Sequence, residues 1–442
     1  MLDYDVARSL LASALRHSPA DQTEIVLGVT EHGLTRLANG GIHQNVSVAN
    51  YEARVRVALG QRVGVATDNR LAAGDLQRLV DQAVAVARVS EPNPEFDALP
   101  APEAMTPTPA PGVDPADFTP ERRADAAELL VRAGVGQGQS TSGFIATGID
   151  TLSIGNSLGA RTFHRWATAG VMAIMTDGDA SGYASWDGTT LRNAPVGEVA
   201  ARASGICGSA RGAQPVAPGH YTVILEPAAV AEMLTMLAVM GLGATAYQEG
   251  RSFMSGKMGE QLVGENITLL DDTYHPGMIT LPFDYEGVPR RVVPFFERGV
   301  AKGVVYDSLT ARKAGLQPST GHALPAPNPY GPLPMHLVLA PGGHARKRLL
   351  REVERGILVT RFHYVNVVHP KETIITGMTR DGTFLIEHGA ITRPVKNLRF
   401  TQSILEALRR VSALENAQHL VNNEGIFCLV PAMRIEDFAF TS

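Results

Sequence analysis

Nine of the 28 prolines in this chain lie between residues 92 and 120, and this cluster restricts the fold more than any other feature of the sequence. Proline has no backbone N–H and cannot continue a helix, so a segment this rich in proline is not expected to form a helix or a central strand. We therefore predict an extended linker over residues 92–119. Because 442 residues exceed what one hydrophobic core usually supports, the linker is expected to separate two or more packed domains.

Before the linker, the spacing of apolar residues predicts a small α+β unit. Residues 5–16 and 71–89 place apolar side chains at helical intervals, which predicts two helices. Between them, residues 24–66 contain runs of alternating apolar and polar residues, which are typical of antiparallel strands with one exposed face. We predict an N-terminal domain of one helix pair and a small antiparallel sheet over residues 1–91.

After the linker, two further domains are predicted. Thr119 followed by Pro120 is a helix start signal, and the alternating residues 141–193, rich in Gly, Ser and Thr, predict antiparallel strands. Together they predict a middle α+β domain over residues 120–215. Residues 219–442 contain short strands and glycine turns with a few helices, which predicts a large C-terminal domain of mostly antiparallel β structure. The predicted fold class is α+β.

Composition and charge exclude several classes of function. The chain has 39 basic and 44 acidic residues, a formal net charge of −5 and no basic stripe, so direct binding to nucleic acid is not expected. No apolar run reaches the roughly 18–20 residues that a membrane span needs, and the N-terminus lacks the basic start of a secretion signal. The two cysteines, Cys207 and Cys428, are too few for a disulfide framework or a four-thiolate zinc site. A soluble cytoplasmic protein without membrane contact is therefore expected.

The sequence contains no motif that identifies a catalytic centre on its own. There is no Gly-x-Ser-x-Gly nucleophile motif, no Walker or dinucleotide-binding loop, and no His-Glu-x-x-His zinc motif. His363 and His369 lie six residues apart in a strand-like stretch and could share one face, which makes them weak candidates for a metal site. Two surface or hydrogen-bonded histidines explain the same spacing. The residues alone therefore predict an α+β protein without an evident catalytic residue.

A series of short motifs, in a fixed order along the chain, resembles the TldD/PmbA family of metallopeptidase-related proteins, which work as paired subunits. Near the N-terminus the matching run is Leu-Ala-Asn-Gly-Gly-Ile-His-Gln-Asn at residues 37–45, and a later run is Ser-Gly-Lys-Met-Gly-Glu-Gln at residues 255–261. The remaining runs lie at residues 267–272, 283–289, 297–300, 306–312, 355–359, 386–389 and 394–398. Each motif is short, but their order and spacing make the chain similar to this family in particular.

The resemblance implies that this chain is the metal-free type of subunit in the family, which is PmbA-like or TldE-like. The active type carries His-Glu-x-x-x-His on a helix just before the motif at residues 255–261. A count back without gaps places Thr235, Met236 and Met240 at the positions of the two histidines and the glutamate, and a thioether is a poor zinc ligand. Cys428 does not match the spacing of the C-terminal cysteine ligand of the active type. The resemblance therefore implies no catalytic residue, no metal site and no cofactor in this chain, with zinc in the partner subunit.

The pairing of subunits in the family implies a cleft in which this chain helps to hold an extended peptide by backbone hydrogen bonds. The candidate cleft residues lie in the N-terminal strands and in a strand-like stretch near residue 380: Asn39, His43, Asn45, Arg380, Asp381 and Thr383. The expected function is that of the metal-free partner subunit of a heteromeric metalloprotease that degrades or processes unfolded peptides. The expected partners are a TldD-like catalytic subunit and a peptide substrate, with a homodimer kept as an alternative.

Two other functions fit the same residues. One is a self-paired peptidase with a divergent site built on His363, His369 and Asp381, or a related hydrolase that tailors a peptide-derived natural product. The other is a regulatory module that binds a folded protein without hydrolysis. No motif of the chain identifies the substrate, the cleavage preference or the pathway.

Overall fold

The computed structural model describes residues 2–106, 108 and 114–442, and it has a mixed α+β architecture. The described strands form three sheets, most of their pairings are antiparallel, and helices pack against them. The predicted α+β fold class is confirmed. Part of the predicted linker, at residues 107 and 109–113, lies outside the described residues. None of the helices in the described part of the chain is both long and apolar enough to cross a lipid bilayer.

In the first half of the chain, helices flank two runs of three strands. The elements are, in chain order, α1 (Tyr4–His17), β1 (Gln22–Ala38), β2 (Gly41–Leu59), β3 (Arg62–Asp68), α2 (Ala73–Val89), a 3-10 helix (Pro115–Phe118), α3 (Pro120–Val135), β4 (Ser140–Asn156), β5 (Arg161–Asp177), β6 (Ala180–Gly188), a second 3-10 helix (Leu191–Asn193) and α4 (Val196–Ser209). Helix α3 begins where the sequence signal lies, because the Thr119 side chain accepts a hydrogen bond from the Arg122 N–H and Pro120 occupies the first turn.

The strands β1 to β6 form one antiparallel sheet in the order β3-β2-β1-β4-β5-β6. Helix α2 packs on β2 and β3, and helix α4 packs on β5 and β6. The central pair is β1 with β4, so a single sheet contains strands from residues 1–91 and from residues 120–215. Backbone hydrogen bonds therefore join the two segments that the sequence analysis treats as separate domains, and the domain boundaries stay a prediction.

Strand β1 is continuous over 17 residues, whereas the alternation of the sequence predicts two shorter strands at residues 24–29 and 34–38. The intervening Gly33 leaves room for a neighbour, since a Cβ at this position would lie 2.1 Å from Nη1 of Arg123. Arg123 projects from α3, is 1% exposed and donates to neutral side-chain oxygens of β1, β2 and β4. Glycine at position 33 therefore lets a buried guanidinium lie directly against the strand.

The second half of the chain contains shorter strands and one long apolar helix. Its elements are, in chain order, β7 (Gly219–Leu225), α5 (Pro227–Gly241), α6 (Ala244–Gln248), β8 (Leu269–Asp271), β9 (Val293–Glu297), β10 (Val300–Ala301), α7 (Ser308–Lys313), β11 (His336–Leu339), α8 (Arg346–Arg351), β12 (Arg355–His369), β13 (Ile374–Glu387), β14 (Ala390–Pro394), β15 (Arg399–Ser403), α9 (Ile404–Arg409), β16 (Val411–Leu414), β17 (His419–Asn423), β18 (Ile426–Val430) and β19 (Met433–Phe440).

These strands form two sheets on either side of α5. One sheet has the order β10-β9-β8-β11-β18-β17, and the other has the order β12-β7-β19-β15-β13-β14, with β16 paired to β19. Helix α5 contacts β12 of the second sheet and both β17 and β18 of the first. A large hydrophobic core with side chains from both sheets surrounds the helix. The fold therefore fixes α5 from two sides.

Candidate functional site

Helix α5 carries the positions that the family resemblance assigns to metal ligands, and the structure places most of this helix in the core. Ten of its 15 residues are buried. Thr235 and Met240 are only 4% and 5% exposed. Glu232 and Met236 are half-buried, and Val239 is 59% exposed. The outward stripe of α5 therefore carries one carboxylate, one thioether and one aliphatic side chain.

The thiol of Cys428 lies against the buried side of α5. Its Sγ is 3.7 Å from Oγ1 of Thr235 and 3.9 Å from the carbonyl oxygen of Ala231. Burial raises the pKa of Cys428 to about 12, and the contact with Thr235 offsets only part of that shift. The thiol is therefore protonated at neutral pH, and a protonated thiol is neither a nucleophile nor a metal ligand.

The donor set around α5 does not fit a zinc ion. Zinc in proteins is held by thiolates, imidazoles and carboxylates, usually four in tetrahedral geometry. Thr235, Met236 and Met240 offer a hydroxyl and two thioethers, and the nearby Cys428 thiol is protonated. Across residues 2–106, 108 and 114–442, no group of three or more His, Cys, Asp or Glu side chains is arranged to hold a metal ion.

Ionisable side chains from three further elements gather at the outward side of α5. Nε of Arg361, on β12, donates to Oδ2 of Asp381, on β13, at 2.8 Å. The same guanidinium lies 4.8 Å from the centroid of the Tyr183 ring, on β6. Burial raises the pKa of Glu232, on α5, and the charge of Arg361 acts against that shift. The contact between β6 and the C-terminal strands is therefore polar where it lies beside α5.

Asp187 joins the two halves of the molecule in the same region. A carboxylate oxygen of Asp187, at the end of β6, accepts a hydrogen bond of 3.1 Å from the backbone N–H of Asn422, on β17. Burial raises the pKa of Asp187 to about 6, and the Asn422 bond opposes the shift. A carboxyl group with a pKa near neutrality can both accept and donate hydrogen bonds in the physiological range. The sequence analysis does not select Asp187, because its partner lies 235 positions away.

The predicted cleft residues Arg380, Asp381 and Thr383 lie together on β13. Asp381 is 4% exposed, has a left-handed backbone with φ of 53° and pairs with Arg361. Thr383 is buried, and the Arg380 side chain is half exposed. Asp381 is thus part of an ion pair between β12 and β13, and Arg380 is the member of this group that is open to solvent.

The predicted cleft residues Asn39, His43 and Asn45 lie at the far end of the β1–β2 hairpin. Asn39 forms its turn with φ of 52°, and His43 is exposed. Oδ1 of Asn45 accepts hydrogen bonds from Thr35 Oγ1 at 3.0 Å and from Arg123 Nη2 at 3.3 Å. These three residues therefore belong to the first sheet, whereas the group on β13 belongs to a C-terminal sheet. Their assignment to one peptide cleft stays a prediction.

His363 and His369 lie on the exposed end of the β12–β13 hairpin. His363 is paired across the ladder with Met378, and His369 with Ile374. Nδ1 of His369 accepts a hydrogen bond of 3.2 Å from the backbone N–H of Glu372. Burial, with the charges of Arg380 and Arg361 next, lowers the pKa of His363. The metal role of this pair stays a prediction.

A long free edge borders the β1–β2 hairpin. Strand β3 pairs with residues 53–59 of β2, and within the described part of the chain no strand pairs with the same edge over residues 41–52. These residues are largely exposed, and Ile42, Val48 and Tyr51 are exposed apolar side chains. An unpaired edge presents a row of free N–H and C=O groups that can pair with another extended chain.

Solved structures with this architecture define its class. The chain superposes on TldE from Thermococcus kodakarensis with a TM-score of 0.90, over 99% of this chain and 100% of that one, at 20% sequence identity. At this level of identity the likeness establishes the shared fold. The chain therefore shares the α+β fold of that structure.

Sequence models of the family identify it more closely. The model described as the PmbA/TldA metallopeptidase C-terminal domain matches residues 218–442, and the model described as PmbA/TldA metallopeptidase domain 1 matches residues 23–87. The chain belongs to the PmbA/TldD metallopeptidase family. The family resemblance drawn from the order of short motifs is confirmed.

Curated relatives in the family are similar over part of their length. A metalloprotease of Methanothermobacter thermautotrophicus is 26% identical over 206 residues, which cover 46% of this chain and 44% of that protein. A TldD homologue of Haemophilus influenzae, named as a metalloprotease, is 27% identical over 185 residues, or 41% of this chain and 37% of that one. The matched part of this chain thus spans less than half of these curated relatives.

Proposed function

We propose that this chain is the metal-free partner subunit of a heteromeric metalloprotease, and that it holds unfolded peptides while a TldD-like subunit supplies zinc and hydrolyses them. The observation that carries the proposal is the side-chain set of α5. Thr235, Met236 and Met240 stand where the family resemblance expects two imidazoles and a carboxylate. A hydroxyl and two thioethers hold zinc poorly and take no proton from a water molecule, so hydrolysis needs a second chain.

The outward stripe of α5 supports contact with a partner. Val239 is 59% exposed and lies one turn from the half-buried Met236. Methionine adapts its shape to an apposed surface, and an exposed aliphatic side chain gains from being covered. Beside this stripe, Asp187 and Tyr183 are engaged within the chain, by the Asn422 N–H and by the Arg361 guanidinium, so Val239 and Met236 are the groups left to meet a partner.

The free edge of β2 supports the peptide-holding part of the proposal. Over residues 41–52 the backbone groups of this edge have no strand partner within the described chain. Pairing through the backbone places little demand on the sequence of the bound peptide, which suits a subunit that receives unfolded chains. The side chain of Asn45 is engaged by Arg123, so the backbone and the exposed His43 are the groups that remain available.

The first test measures metal and activity with and without the partner. We expect the purified chain to hold less than about 0.1 zinc per molecule by mass spectrometry of metals after dialysis, since it offers no ligand set. Peptidase activity should appear only when a TldD-like subunit is added, and it should be lost on chelation. Tightly bound zinc near one per chain, or hydrolysis by the chain alone, would contradict the proposal and would favour a self-paired peptidase.

The second test uses two neighbouring prolines on the free edge. Along an edge strand, N–H groups point alternately outward and toward the paired strand. Of Val48→Pro and Ala49→Pro, one therefore removes an outward N–H group and the other removes an N–H group that bonds to β1. We expect one variant to keep the melting temperature of the parent protein and to bind an unfolded peptide more weakly by about tenfold. The other should be destabilised by loss of a ladder bond to β1.

The two prolines control each other, because they occupy adjacent positions of the same strand and remove N–H groups that point in opposite directions. Peptide affinity is measured by fluorescence anisotropy with a labelled casein fragment, and folding by thermal denaturation. Unchanged peptide binding in both variants would show that the β2 edge does not hold the peptide, while the metal-free role of α5 would be unaffected.

A further inference from the structure

A cavity of about 660 Å³ lies between α4 and the second C-terminal sheet, away from the stripe of α5. Its walls are largely apolar, with Ile206 from α4, Leu358 from β12 and Phe384 from β13. Ile391, on the edge strand β14, lies at its rim and is 45% exposed. The volume and the lining are those of a small-molecule site rather than of a packing defect.

The cavity is lined by more basic than acidic side chains. Arg202, Arg346 and Lys347 line it together with a single carboxylate, that of Glu226. Glu226 is 7% exposed and forms ion pairs with Arg202 and Arg346. No ion pair or hydrogen bond engages Lys347 within the described residues, and its side chain is exposed. With the buried Glu415 beside Arg346 also counted, the cavity carries one positive charge in excess, that of Lys347, in a chain with a formal net charge of −5.

The fold holds the two guanidinium groups in place. Arg346 also lies 3.4 Å from Oε2 of Glu415, which is 7% exposed and accepts a hydrogen bond from the Ala432 N–H. Nη2 of Arg346 faces Glu226 and its Nη1 faces Glu415, so both ends of this guanidinium already have a carboxylate partner. The ammonium of Lys347 is a compact charge on a flexible stem, and it is the cation of this lining that is left to meet a bound anion.

We propose that this cavity binds an apolar carboxylate, whose hydrocarbon part lies against Ile206, Leu358 and Phe384 and whose carboxylate meets Lys347. Two sources offer this chemistry. One is the free C-terminus of a peptide that ends in an apolar residue, and the other is a fatty acid. The inference concerns this chain alone and does not depend on a catalytic partner, so its outcome is separate from that of the proposed subunit role.

Calorimetric titration of the full chain tests the site with three probes: acetyl-Ala-Ala-Leu with a free carboxylate, the same peptide as its C-terminal amide, and octanoate. We expect saturable binding of the free acid or of octanoate, and at least about tenfold weaker binding of the amide. Binding of the peptide acid alone assigns the site to peptide termini, and binding of octanoate alone assigns it to fatty acids. Equal binding of acid and amide, or no saturation by about 5 mM of either acid, overturns the proposal.

Two exposed substitutions connect the binding to this cavity. Lys347→Ala should weaken binding of the acid by about tenfold, because it removes the one cation of the cavity that has no carboxylate partner. Ile391→Asp places a like charge at the rim and should weaken it further. Lys371→Ala removes the same charge from the exposed β12–β13 turn, outside the cavity, and should leave affinity unchanged. Affinity that survives Lys347→Ala and Ile391→Asp, in variants with the parent melting temperature, also overturns the proposal.

Discussion

The two faces of the sheet that contains β11 and β18 bury different chemistry. Toward α5, Leu337 lies beside Cys428, and both belong to the core around the helix. One residue earlier on each strand, His336 lies beside Phe427, with ring centroids 5.8 Å apart. Side chains alternate between the two faces along a strand, so neighbouring residues lie in different surroundings. Leu337 and Cys428 lie in a neutral aliphatic environment, and His336 lies in an ionisable one.

An ionisable cluster around His336, formed with His322, Asp271 and Arg290, is as tightly buried as the apolar core. His322 and Asp271 have side chains that are 0% and 1% exposed, with Nε2 of His322 3.0 Å from Oδ1 of Asp271. Burial, and next the charge of Arg290, lower the pKa of His336 to about 3. Burial alone would raise the pKa of Asp271, but His322, His336 and Arg290 outweigh it and hold that pKa below its usual range.

The comparison shows that residue type alone does not locate chemistry in this chain. Imidazole and carboxylate groups, the usual ligands and bases of a hydrolase, are present as His322 and Asp271 but are sealed inside the scaffold. Helix α5, where the family resemblance expects such groups, holds Thr235 and Met240 instead. We therefore expect the ionisable cluster to control stability and the α5 face to tolerate neutral changes.

The largest effect should follow from removing Asp271, the anchor of the ionisable cluster. Oδ2 of Asp271 accepts hydrogen bonds from the backbone N–H groups of Met335, at 2.8 Å, and His336, at 3.0 Å. Asp271→Ala leaves both donors and His322 without their acceptor in a dry interior. We expect a loss of about 3–5 kcal/mol in the free energy of unfolding, measured by urea denaturation.

Its neighbour in sequence supplies a matched control. Asp272 is half-buried, and its Oδ1 accepts one hydrogen bond of 2.9 Å from the Tyr274 N–H. Asp272→Ala should therefore cost about 1 kcal/mol or less. Equal losses for the two variants would mean that the buried network around Asp271 adds nothing beyond a turn hydrogen bond.

The next effect is a dependence of stability on pH that belongs to His336. The unfolded chain takes up a proton on this histidine below its ordinary pKa of 6.5, while the folded chain does so only near pH 3. In that window the unfolded state binds more protons, so stability falls as the pH falls, by up to about 1.4 kcal/mol per pH unit. His336→Leu keeps an apolar neighbour for Phe427 and should remove this slope.

The measurement is the difference in unfolding free energy between the parent protein and His336→Leu at several pH values from 6.5 to 4. The comparison of two proteins is needed because Asp187 changes stability with pH in the opposite direction. Its raised pKa means that the folded state binds more protons than the unfolded state between pH 3.8 and about 6. The stability that Asp187 contributes is therefore lost as the pH rises through that range. His369→Leu, on the exposed hairpin, serves as the control. Parallel pH profiles for parent and His336→Leu would refute a neutral buried imidazole.

The fold class follows from local sequence patterns, whereas strand continuity does not. Alternation predicts two strands at residues 374–378 and 384–387, but β13 runs unbroken over both. Between them Asp381 and Gly382 have φ of 53° and 124°, and a Cβ at Gly382 would lie 2.5 Å from Oγ1 of Thr360. The strand can continue here because residue 382 is a glycine, which fits against its close neighbour on the adjacent strand. That contact joins residues far apart in the chain, so no local sequence pattern predicts it.

The candidate site likewise combines residues that the sequence points to and contacts that only the fold creates. The order of motifs along the chain points to Thr235, Met236 and Met240 from positions alone, and all three lie on α5, while their equivalence to metal-ligand positions stays a prediction. The hydrogen bond from Asn422 to Asp187 joins residues 235 positions apart, and it exists only once β6 and β17 have docked. Isolated acidic residues are common in turns, so the sequence alone does not distinguish this carboxylate from the others.

The smallest effect is expected on the neutral face, from Thr235→Val. The hydroxyl of Thr235 lies 3.7 Å from Sγ of Cys428, a long contact to a thiol whose pKa burial raises to about 12. Because no charge is lost, stability should change by less than about 1 kcal/mol. Cys428 should also resist alkylation by iodoacetamide at pH 8 in both proteins and react fully in urea, as mapped by peptide mass spectrometry. A loss of stability as large as that of Asp271→Ala would contradict the contrast between the neutral and the ionisable regions. Alkylation of native Cys428 at the rate of the unfolded chain would show a thiolate beside α5 and would contradict it as well.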